Sequence, residues 1–288
     1  MPKVARGVSR RRSRPKSSHN LGGEQKNAWR RLGIALVFAV VGAVQVPGCS
    51  VVPHVAPSRA GDQSPPPTAQ AGAFARCPEH FPGQVPAVAW PRRQRALCFD
   101  AFAVLHSGES KTPVYTVERL TRSGVQAAKD IKRSDRFYPE ARLPAADRAQ
   151  LADYAGSGYD RGHMAPAGDM PTVEAKAQSF SLANMVPQAP ALNQKAWNQI
   201  EQATRKYAAR ASGDVYVFTG PMFSQRSATI GAGQVWVPSH TWKVVYSSGD
   251  GRAWAYWMAN NDGTQSLQPI SYQEFEQRSG LQLLSAAN

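Results

Sequence analysis

Residues 159–166 read Tyr-Asp-Arg-Gly-His-Met-Ala-Pro and place an arginine, a glycine and a histidine side by side. The unperturbed pKa of an imidazole is about 6.5, so a neutral His163 is able to take a proton from water at physiological pH. Arg161 offers a planar guanidinium that stays charged and fits the oxygens of a phosphoryl group. Gly162 relieves crowding before the histidine, and Asp160 is expected to fix the turn rather than to react. The string therefore predicts a general base beside a group that binds oxyanions.

A second string, residues 184–188, reads Asn-Met-Val-Pro-Gln, and a helix is predicted from Asn193 because no Gly or Pro follows until Gly213. Asn193 and Glu201 are eight residues apart, about 12 Å along a helix axis and within about 80° around it. Both side chains are therefore expected to face one cleft. On local grounds alone, Asn193 is equally well explained as a helix N-cap. For Glu201, the less favoured alternative is a solvated acid on the helix face. The predicted buried stripe of this helix is Trp197, Ile200, Thr204 and Tyr207.

Together these strings resemble the DNA/RNA non-specific endonuclease family of the ββα-metal (His-Me finger) nucleases. The matching set is Asp160-Arg161-Gly162-His163, Asn184-x-x-Pro187-Gln188 and Asn193-x-x-x-Trp197-x-x-x-Glu201. Weaker likenesses lie at residues 219–221, 237–243 and 274–281, so the resemblance covers roughly residues 110–284. A set of several spaced motifs is far more specific than any single string.

The resemblance implies an endonuclease that hydrolyses phosphodiester bonds of DNA and RNA and leaves 5′-phosphate ends. It implies that His163 is the general base, that Arg161 binds phosphate, and that Asn193 is the one direct protein ligand of Mg²⁺, with Mn²⁺ as an alternative ion. Glu201 would then hold metal-bound waters. Asn184 would lie at the edge of the site and hydrogen-bond the backbone that positions His163 or the phosphate.

The family pattern also requires a second phosphate-binding arginine upstream, for which both Arg133 and Arg136 qualify. The count of acids agrees with a single cation, because the acids between His163 and Arg210 are Asp169, Glu174 and Glu201. Three scattered carboxylates are too few for a two-metal cage, whereas Mg²⁺ readily keeps several waters.

The competing interpretation is a non-catalytic surface protein that binds nucleic acid on the same fold, for instance in DNA uptake. Basic clusters support contact with phosphates in either case. The sequence contains no P-loop, dinucleotide fingerprint or His-Glu-x-x-His motif, and residues 156–158 do not form a Gly-x-Ser-x-Gly elbow. The two basic clusters are Lys129, Lys132, Arg133 and Arg136, and Arg92, Arg93 and Arg95.

The net charge of +14 belongs mostly to the first 31 residues, which carry ten basic side chains and one acid. An apolar run at residues 32–46 follows, as in an export signal or an uncleaved anchor. Residues 46–49, Val-Pro-Gly-Cys, resemble a bacterial lipobox with Cys49 as the lipidated residue. We expect the protein to be exported to the periplasm or the cell surface. There it would be held at the membrane, by this segment or by lipid on Cys49, or it would be secreted.

Three segments are predicted: a leader and signal at residues 1–49, a Pro/Ala/Ser-rich tether at 50–76, and a nuclease domain at 77–288. In an exported domain, Cys77 and Cys98 are expected to form a disulfide. The alternatives are a zinc site made by these cysteines with His80 and His106, and a thiol nucleophile at Cys98.

The predicted fold class is α+β, with a mixed, mainly antiparallel sheet, flanking helices and a ββα-metal catalytic motif. Alternating or β-branched runs bounded by turn residues indicate the strands, and runs between Pro or Asn and Gly indicate the helices. Strands are predicted at 114–122, 214–219, 234–246 with a break at Pro238, and 252–259, and helices at 144–156, 193–210 and 271–278.

Overall fold

An antiparallel sheet of seven strands forms the centre of the computed structural model, which describes residues 72–89, 91–263 and 266–284. Two further pairs of strands lie outside this sheet: β4 with β5 and β7 with β8. The order in the large sheet is β1-β2-β3-β6-β9-β10-β11. The strands are β1 (Gln94–Cys98), β2 (Phe102–Ser107), β3 (Thr112–Leu120), β4 (Asp160–His163), β5 (Met185–Gln188), β6 (Val215–Met222), β7 (Thr229–Ile230), β8 (Val235–Trp236), β9 (His240–Ser247), β10 (Ala253–Ala259) and β11 (Ile270–Ser271).

The helices are short and lie between the strands. The α-helices are α1 (Arg122–Ala128), α2 (Leu151–Tyr154), α3 (Val173–Gln178), α4 (Asn198–Ala208) and α5 (Tyr272–Ser279). A π-helix, Leu192–Trp197, leads into α4. Turns of 3-10 helix lie at Pro78–His80, Ala145–Asp147, Ala167–Asp169 and Leu182–Asn184. The chain is therefore α+β with a mainly antiparallel sheet, as the sequence predicted.

One face of the sheet packs against the N-terminal part of the described chain and against α5. Tyr115 and Val117 on β3 contribute to this layer, and Phe275 on α5 covers it. Phe74 also lies in this layer with only 1% of its surface exposed. The predicted tether therefore ends earlier than residue 76, because its last residues include a core side chain. The remainder of the tether and the leader, residues 1–71, lie outside the described residues.

The opposite face of the sheet carries polar as well as apolar side chains, and it supports the elements of the candidate site. Strand side chains alternate between faces, so Glu118 lies on the same side of β3 as Leu120, which packs with Ala208 of α4. Trp197 and Ile200 pack on Met258 of β10. The predicted buried stripe is thus confirmed at Trp197, Ile200 and Thr204, whereas Tyr207 is half-buried.

Cys77 and Cys98 form the predicted disulfide, with their Cα atoms 5.8 Å apart. The zinc alternative is not supported, since His80 Nε2 pairs with the carbonyl of Phe99 and His106 Nε2 with that of Asp147. Across residues 72–89, 91–263 and 266–284, no group of three or more His, Cys, Asp and Glu could hold a metal ion. A disulfide-bonded Cys98 is also not a nucleophile.

Several predicted elements differ from the structure. The helix expected at 144–156 is two short pieces, because Arg148 has an extended backbone and Gln150 starts α2 through a capping box. The helix expected from Asn193 begins as the π-helix, whose start is Leu192. Strands β1, β2, β4, β5, β7 and β11 were not predicted. The strands expected near 114–122, 214–219, 234–246 and 252–259 and the helix near 271–278 are confirmed.

No helix in the described part of the chain is long and apolar enough to cross a membrane. The apolar run at residues 32–46 and the lipobox at 46–49 lie outside that part.

Removing the disulfide should destabilise the fold without changing its topology. The bond closes a loop of sequence separation 21, for which we expect the Cys77→Ser/Cys98→Ser variant to lose about 3 kcal/mol of unfolding free energy. Urea titration followed by fluorescence measures the loss. Dithiothreitol should lower the wild-type stability to the same level and leave the double variant unchanged. Equal stability of variant and wild type would contradict the expectation.

Candidate active site

The two-stranded ribbon of β4 and β5 places His163. In this ribbon Gly162 pairs with Val186 and His163 with Met185. A Cβ atom at position 162 would lie 2.2 Å from Gln188 Oε1 and 2.5 Å from Gln188 Cβ. The side chain of Gln188 therefore occupies the space that a side chain at position 162 would need. This gives a structural reason for the glycine before His163.

Asn184 fixes the backbone that follows His163. Its Oδ1 accepts a hydrogen bond from Ala165 N at 2.9 Å, and its Nδ2 donates to Ala165 O at 2.8 Å and to Ser179 O at 2.9 Å. Met164 N also donates to the Asn184 carbonyl at 3.0 Å. Asn184 is fully buried and does not line the cleft. Asn184 was expected to position either His163 or the phosphate. The geometry matches the first role, in which Asn184 holds the backbone next to His163.

A polar cleft of about 390 Å³ opens beside the ribbon. Five of the predicted site residues line it together: Arg133, Arg161, His163, Asn193 and Glu201. Arg136 is exposed and is not part of the lining, so the structure distinguishes the two upstream arginines. The other lining residues are Pro166, Ala167, Gly168, Gln194, Asn198 and Arg205.

His163 is held in an apolar and cationic setting. Its ring contacts Phe137 and Phe180, with centroids 5.6 Å and 5.0 Å away. Burial lowers its pKa to about 3, with help from the nearby charges of Arg133 and Arg161. The imidazole is therefore neutral at physiological pH. Its Nε2 atom is buried and has no hydrogen-bond partner.

The two arginines of the cleft each lie on one of those phenylalanine rings. The guanidinium carbon of Arg161 is 4.2 Å from the centroid of Phe137, and that of Arg133 is 5.1 Å from the centroid of Phe180. Arg133 also forms an ion pair with Asp135. Stacking on aromatic faces restricts where a guanidinium points, so both cations are directed along the walls of the cleft.

Asp160 orients the carboxamide of Asn193. Asn193 Nδ2 donates to Asp160 Oδ2 at 2.8 Å, and Gln194 Nε2 donates to the same oxygen at 2.8 Å. The alternative of a helix N-cap at Asn193 is not supported, because the π-helix begins one residue earlier and has no side-chain cap. The contact with Asp160 leaves Oδ1 as the end of the carboxamide that is available to a cation.

Glu201 adds a titratable carboxyl to the cleft. Burial raises its pKa to about 7, the charges of Lys243, Arg205 and Arg133 oppose this, and that of Asp169 adds to it. Glu201 is half-buried and lines the cleft, so the interpretation of Glu201 as a solvated acid is not supported.

Three charged residues around Glu201 were missed by the sequence reasoning. Arg205 lines the cleft one helical turn after Glu201 and donates to Asp169 Oδ1 at 2.6 Å. Lys243 is 1% exposed and donates to Thr219 Oγ1 at 2.7 Å. Glu118 is 1% exposed, its oxygens have no hydrogen-bond partner, and burial raises its pKa well above the usual range. The i+4 spacing from Glu201 could have indicated Arg205. We see no sequence signal for Glu118.

Two arginines of the second basic cluster form ion pairs within the fold, although their side chains stay about half exposed. Arg93 Nη1 lies 2.9 Å and Arg95 Nη2 3.6 Å from Asp147 carboxylate oxygens. Of the other cluster, at residues 129–136, Arg133 lines the cleft.

Comparisons with known proteins agree on one relationship. The family described as DNA/RNA non-specific endonuclease matches residues 84–288. The chain is 34% identical over 169 residues to Nuclease C1 of Cunninghamella echinulata var. echinulata, covering 54% of this chain and 67% of that protein. It is 37% identical over 154 residues to mitochondrial Nuclease EXOG of Xenopus laevis, covering 50% and 42%. To mitochondrial Endonuclease G of Bos taurus it is 34% identical over 165 residues, covering 54% and 52%.

The match thus spans about half the length of the two mitochondrial relatives. Among solved structures, EndoG in its complex with EndoGI matches with a TM-score of 0.61 and 28% identity. That match covers 69% of this chain and 89% of the other.

Replacing Asn184 by alanine should cost stability rather than affinity for a ligand. The change removes three buried hydrogen bonds and leaves backbone groups unsatisfied, so we expect a loss of about 2–4 kcal/mol of unfolding free energy by urea titration. Asn198→Ala is the matched control for stability, because Asn198 is exposed and its Oδ1 accepts a hydrogen bond from Gln202 Nε2 at the surface of α4. A stable Asn184→Ala protein would refute the assignment of Asn184 as a backbone lock.

Proposed function

Because the chain belongs to the DNA/RNA non-specific endonuclease family, we propose that it is a metal-dependent endonuclease that hydrolyses phosphodiester bonds of DNA and RNA. The observation that carries this proposal is the convergence of His163, Arg161, Arg133, Asn193 and Glu201 on one cleft. Nuclease and endonuclease relatives support the reaction class. A non-catalytic binding protein is not favoured, since the cleft is lined by the histidine, arginine, asparagine and glutamate side chains that catalysis would need.

His163 is proposed as the general base. Its pKa of about 3 keeps the ring neutral, so one nitrogen carries a proton and the other has a free lone pair. Nε2 is enclosed, which leaves Nδ1 for the attacking water. The proton of that water passes to Nδ1 while its oxygen bonds to phosphorus. The bond from phosphorus to the 3′ oxygen then breaks, the 3′ oxygen takes a proton from a water molecule and leaves as a 3′-hydroxyl, and the phosphate stays on the 5′ end.

The cleft fits a hard divalent cation, and we propose Mg²⁺ with Mn²⁺ as an alternative. Asn193 Oδ1 is an oxygen ligand of the kind that Mg²⁺ prefers, and Asp160 holds the other end of the carboxamide. Glu201 lies in the same lining and would hydrogen-bond the waters that Mg²⁺ retains. When bound, the cation supplies charge neutralisation for the phosphoryl and departing oxygens.

Arg161 and Arg133 are proposed to bind the non-bridging oxygens of the scissile phosphate. Both guanidiniums line the cleft and are held against aromatic rings. Arg133, rather than Arg136, is therefore our choice for the second phosphate-binding arginine. Contacts of this kind read the backbone and carry no sequence information, which accounts for cleavage of both DNA and RNA.

The cellular setting is a proposal from the sequence alone. We propose that residues 1–49 direct export and that the nuclease domain is periplasmic or at the cell surface. It is attached through the N-terminal segment or lipid on Cys49, or it is released.

His163→Ala should strongly reduce cleavage while the protein stays folded. General-base catalysis contributes about 10²–10⁴-fold, so plasmid nicking and RNA degradation should fall by that factor in Mg²⁺. The matched control is His240→Ala, since His240 lies on β9 and is not in the cleft lining. Wild-type turnover by the His163 variant would show that another group is the base.

Asn193→Ala should weaken the response to the cation more than any other property. We expect the Mg²⁺ concentration for half-maximal cleavage to rise about 10- to 100-fold, with a smaller rise for Asp160→Ala. Gln199→Ala, an exposed change at the start of α4, is the control. The proposed ligand role fails if the Mg²⁺ titration of Asn193→Ala superimposes on that of wild type.

A further inference from the structure

Arg133, one of the arginines that line the cleft, lies in a segment without helix or strand structure. We name residues 129–137 the arginine loop. It lies between the end of α1 and Tyr138, which bridges to Ser181, and most of its residues are exposed. Arg133 sits in the middle of this loop and lines the cleft. A segment outside helices and strands has few backbone hydrogen bonds of its own, so its conformation depends on contacts from elsewhere.

One buried lysine supplies such a contact at the start of the loop. Lys176 lies on α3 and is only 5% exposed. Its ammonium donates to Ala128 O at 3.2 Å and to Ile131 O at 2.6 Å. The first acceptor belongs to the last residue of α1, where carbonyls lack helical partners, and the second belongs to the loop. A single cation therefore joins the end of α1 to the beginning of the arginine loop.

Burying a lysine is costly, and within the described residues no salt bridge explains the burial of Lys176. Lysine is among the residues least often buried, and a buried ammonium must be matched by acceptors. Arg133 and Arg205 are near enough to oppose its charge, and Asp169 favours it. The hydrogen bonds in the structure go to backbone carbonyls, so its contribution is to fix the path of the chain.

The same stretch of chain also receives the tip of Arg133. Phe180, two residues beyond the end of α3, carries the guanidinium of Arg133 on its ring. The segment from Lys176 to Phe180 thus makes two contacts with the arginine loop. Lys176 binds the backbone near the start of the loop, and Phe180 contacts the guanidinium of Arg133.

We propose that Lys176 is a positioning residue that anchors the arginine loop and so holds Arg133 in place to bind the scissile phosphate. This inference rests on the proposed function for the role of Arg133. The anchoring itself is a property of the fold that does not depend on catalysis. The alternative is that Lys176 only stabilises the core.

The first test is a double-mutant cycle on the full chain in Mg²⁺, with plasmid DNA as substrate. Lys176→Met removes the donors and keeps an unbranched side chain. We expect it to lower kcat/KM about tenfold, and to have no further effect when Arg133 is already alanine. Lys206→Met, which removes an exposed ammonium from α4, should leave kcat/KM within about twofold. Lys176→Arg, which keeps the charge and the donors, should restore most of the loss.

The second test does not use activity. The arginine loop contains four trypsin sites, Lys129, Lys132, Arg133 and Arg136. Native-state proteolysis should cut within this loop about tenfold faster in Lys176→Met than in wild type or Lys206→Met, because cleavage follows local opening. Should Lys176→Met fail to fold, Lys176→Gln, which keeps an amide donor, takes its place in both tests.

Each outcome has a defined meaning. Coupled effects with faster loop cleavage support the proposal. Additive effects of the Lys176 and Arg133 changes, or unchanged cleavage of the loop, overturn it. If wild type fails to cut DNA under any divalent ion, the proposed function is wrong, whereas the proteolysis still decides whether Lys176 anchors the loop.

Discussion

The antiparallel pairing of β4 with β5 is the constraint on which the geometry of the cleft depends. It places His163 opposite Met185, and it requires a residue without a side chain at Gly162 because Gln188 fills that space. Beyond the strand, Asn184 binds both backbone groups of Ala165. The histidine is therefore fixed by backbone geometry on both sides. Its low exposure and low pKa follow from that position against two phenylalanine rings.

Ionisable side chains where α4 packs against the sheet form a second constraint. Glu118 and Lys243 come from strands and are 1% exposed, whereas Glu201 and Arg205 come from the helix and are half-buried. Removing such charges from water is unfavourable, so their presence is poorly explained by stability. Burial raises the pKa of Glu201 from 4.5 to about 7. An acid with a raised pKa favours the folded state below its unfolded pKa and loses that contribution as pH rises toward 7. The fold thus gives up some stability at neutral pH to keep this carboxyl in the cleft.

Much of the site could be predicted because the chain carries several spaced motifs that resemble those of the family. Arg161 and His163 share one strand, and Asn193 and Glu201 share one helical segment, so within each element the spacing in sequence became proximity in space. The choice between Arg133 and Arg136 could not be made, because an irregular loop has no periodicity to show which side chain turns inward. Glu118 escaped prediction for a different reason. A glutamate in an alternating strand looks the same in sequence whether its neighbours face water or a buried cluster.

The π-helix is the place where the assumption of a regular α-helix fails. The prediction that Asn193 and Glu201 face one cleft nevertheless holds. Ideal α-helical spacing predicted that Asn193 and Glu201 share a cleft, and both line it. The chain reaches that arrangement through a π-turn at Leu192–Trp197, after which α4 is regular. Wider turns of this kind often occur at functional sites. Here the turn places Asn193 Nδ2 and Gln194 Nε2 on one carboxylate oxygen of Asp160. The ribbon and the helix are thereby joined through a single acid, which ties the position of the carboxamide to that of the histidine three residues along the same strand.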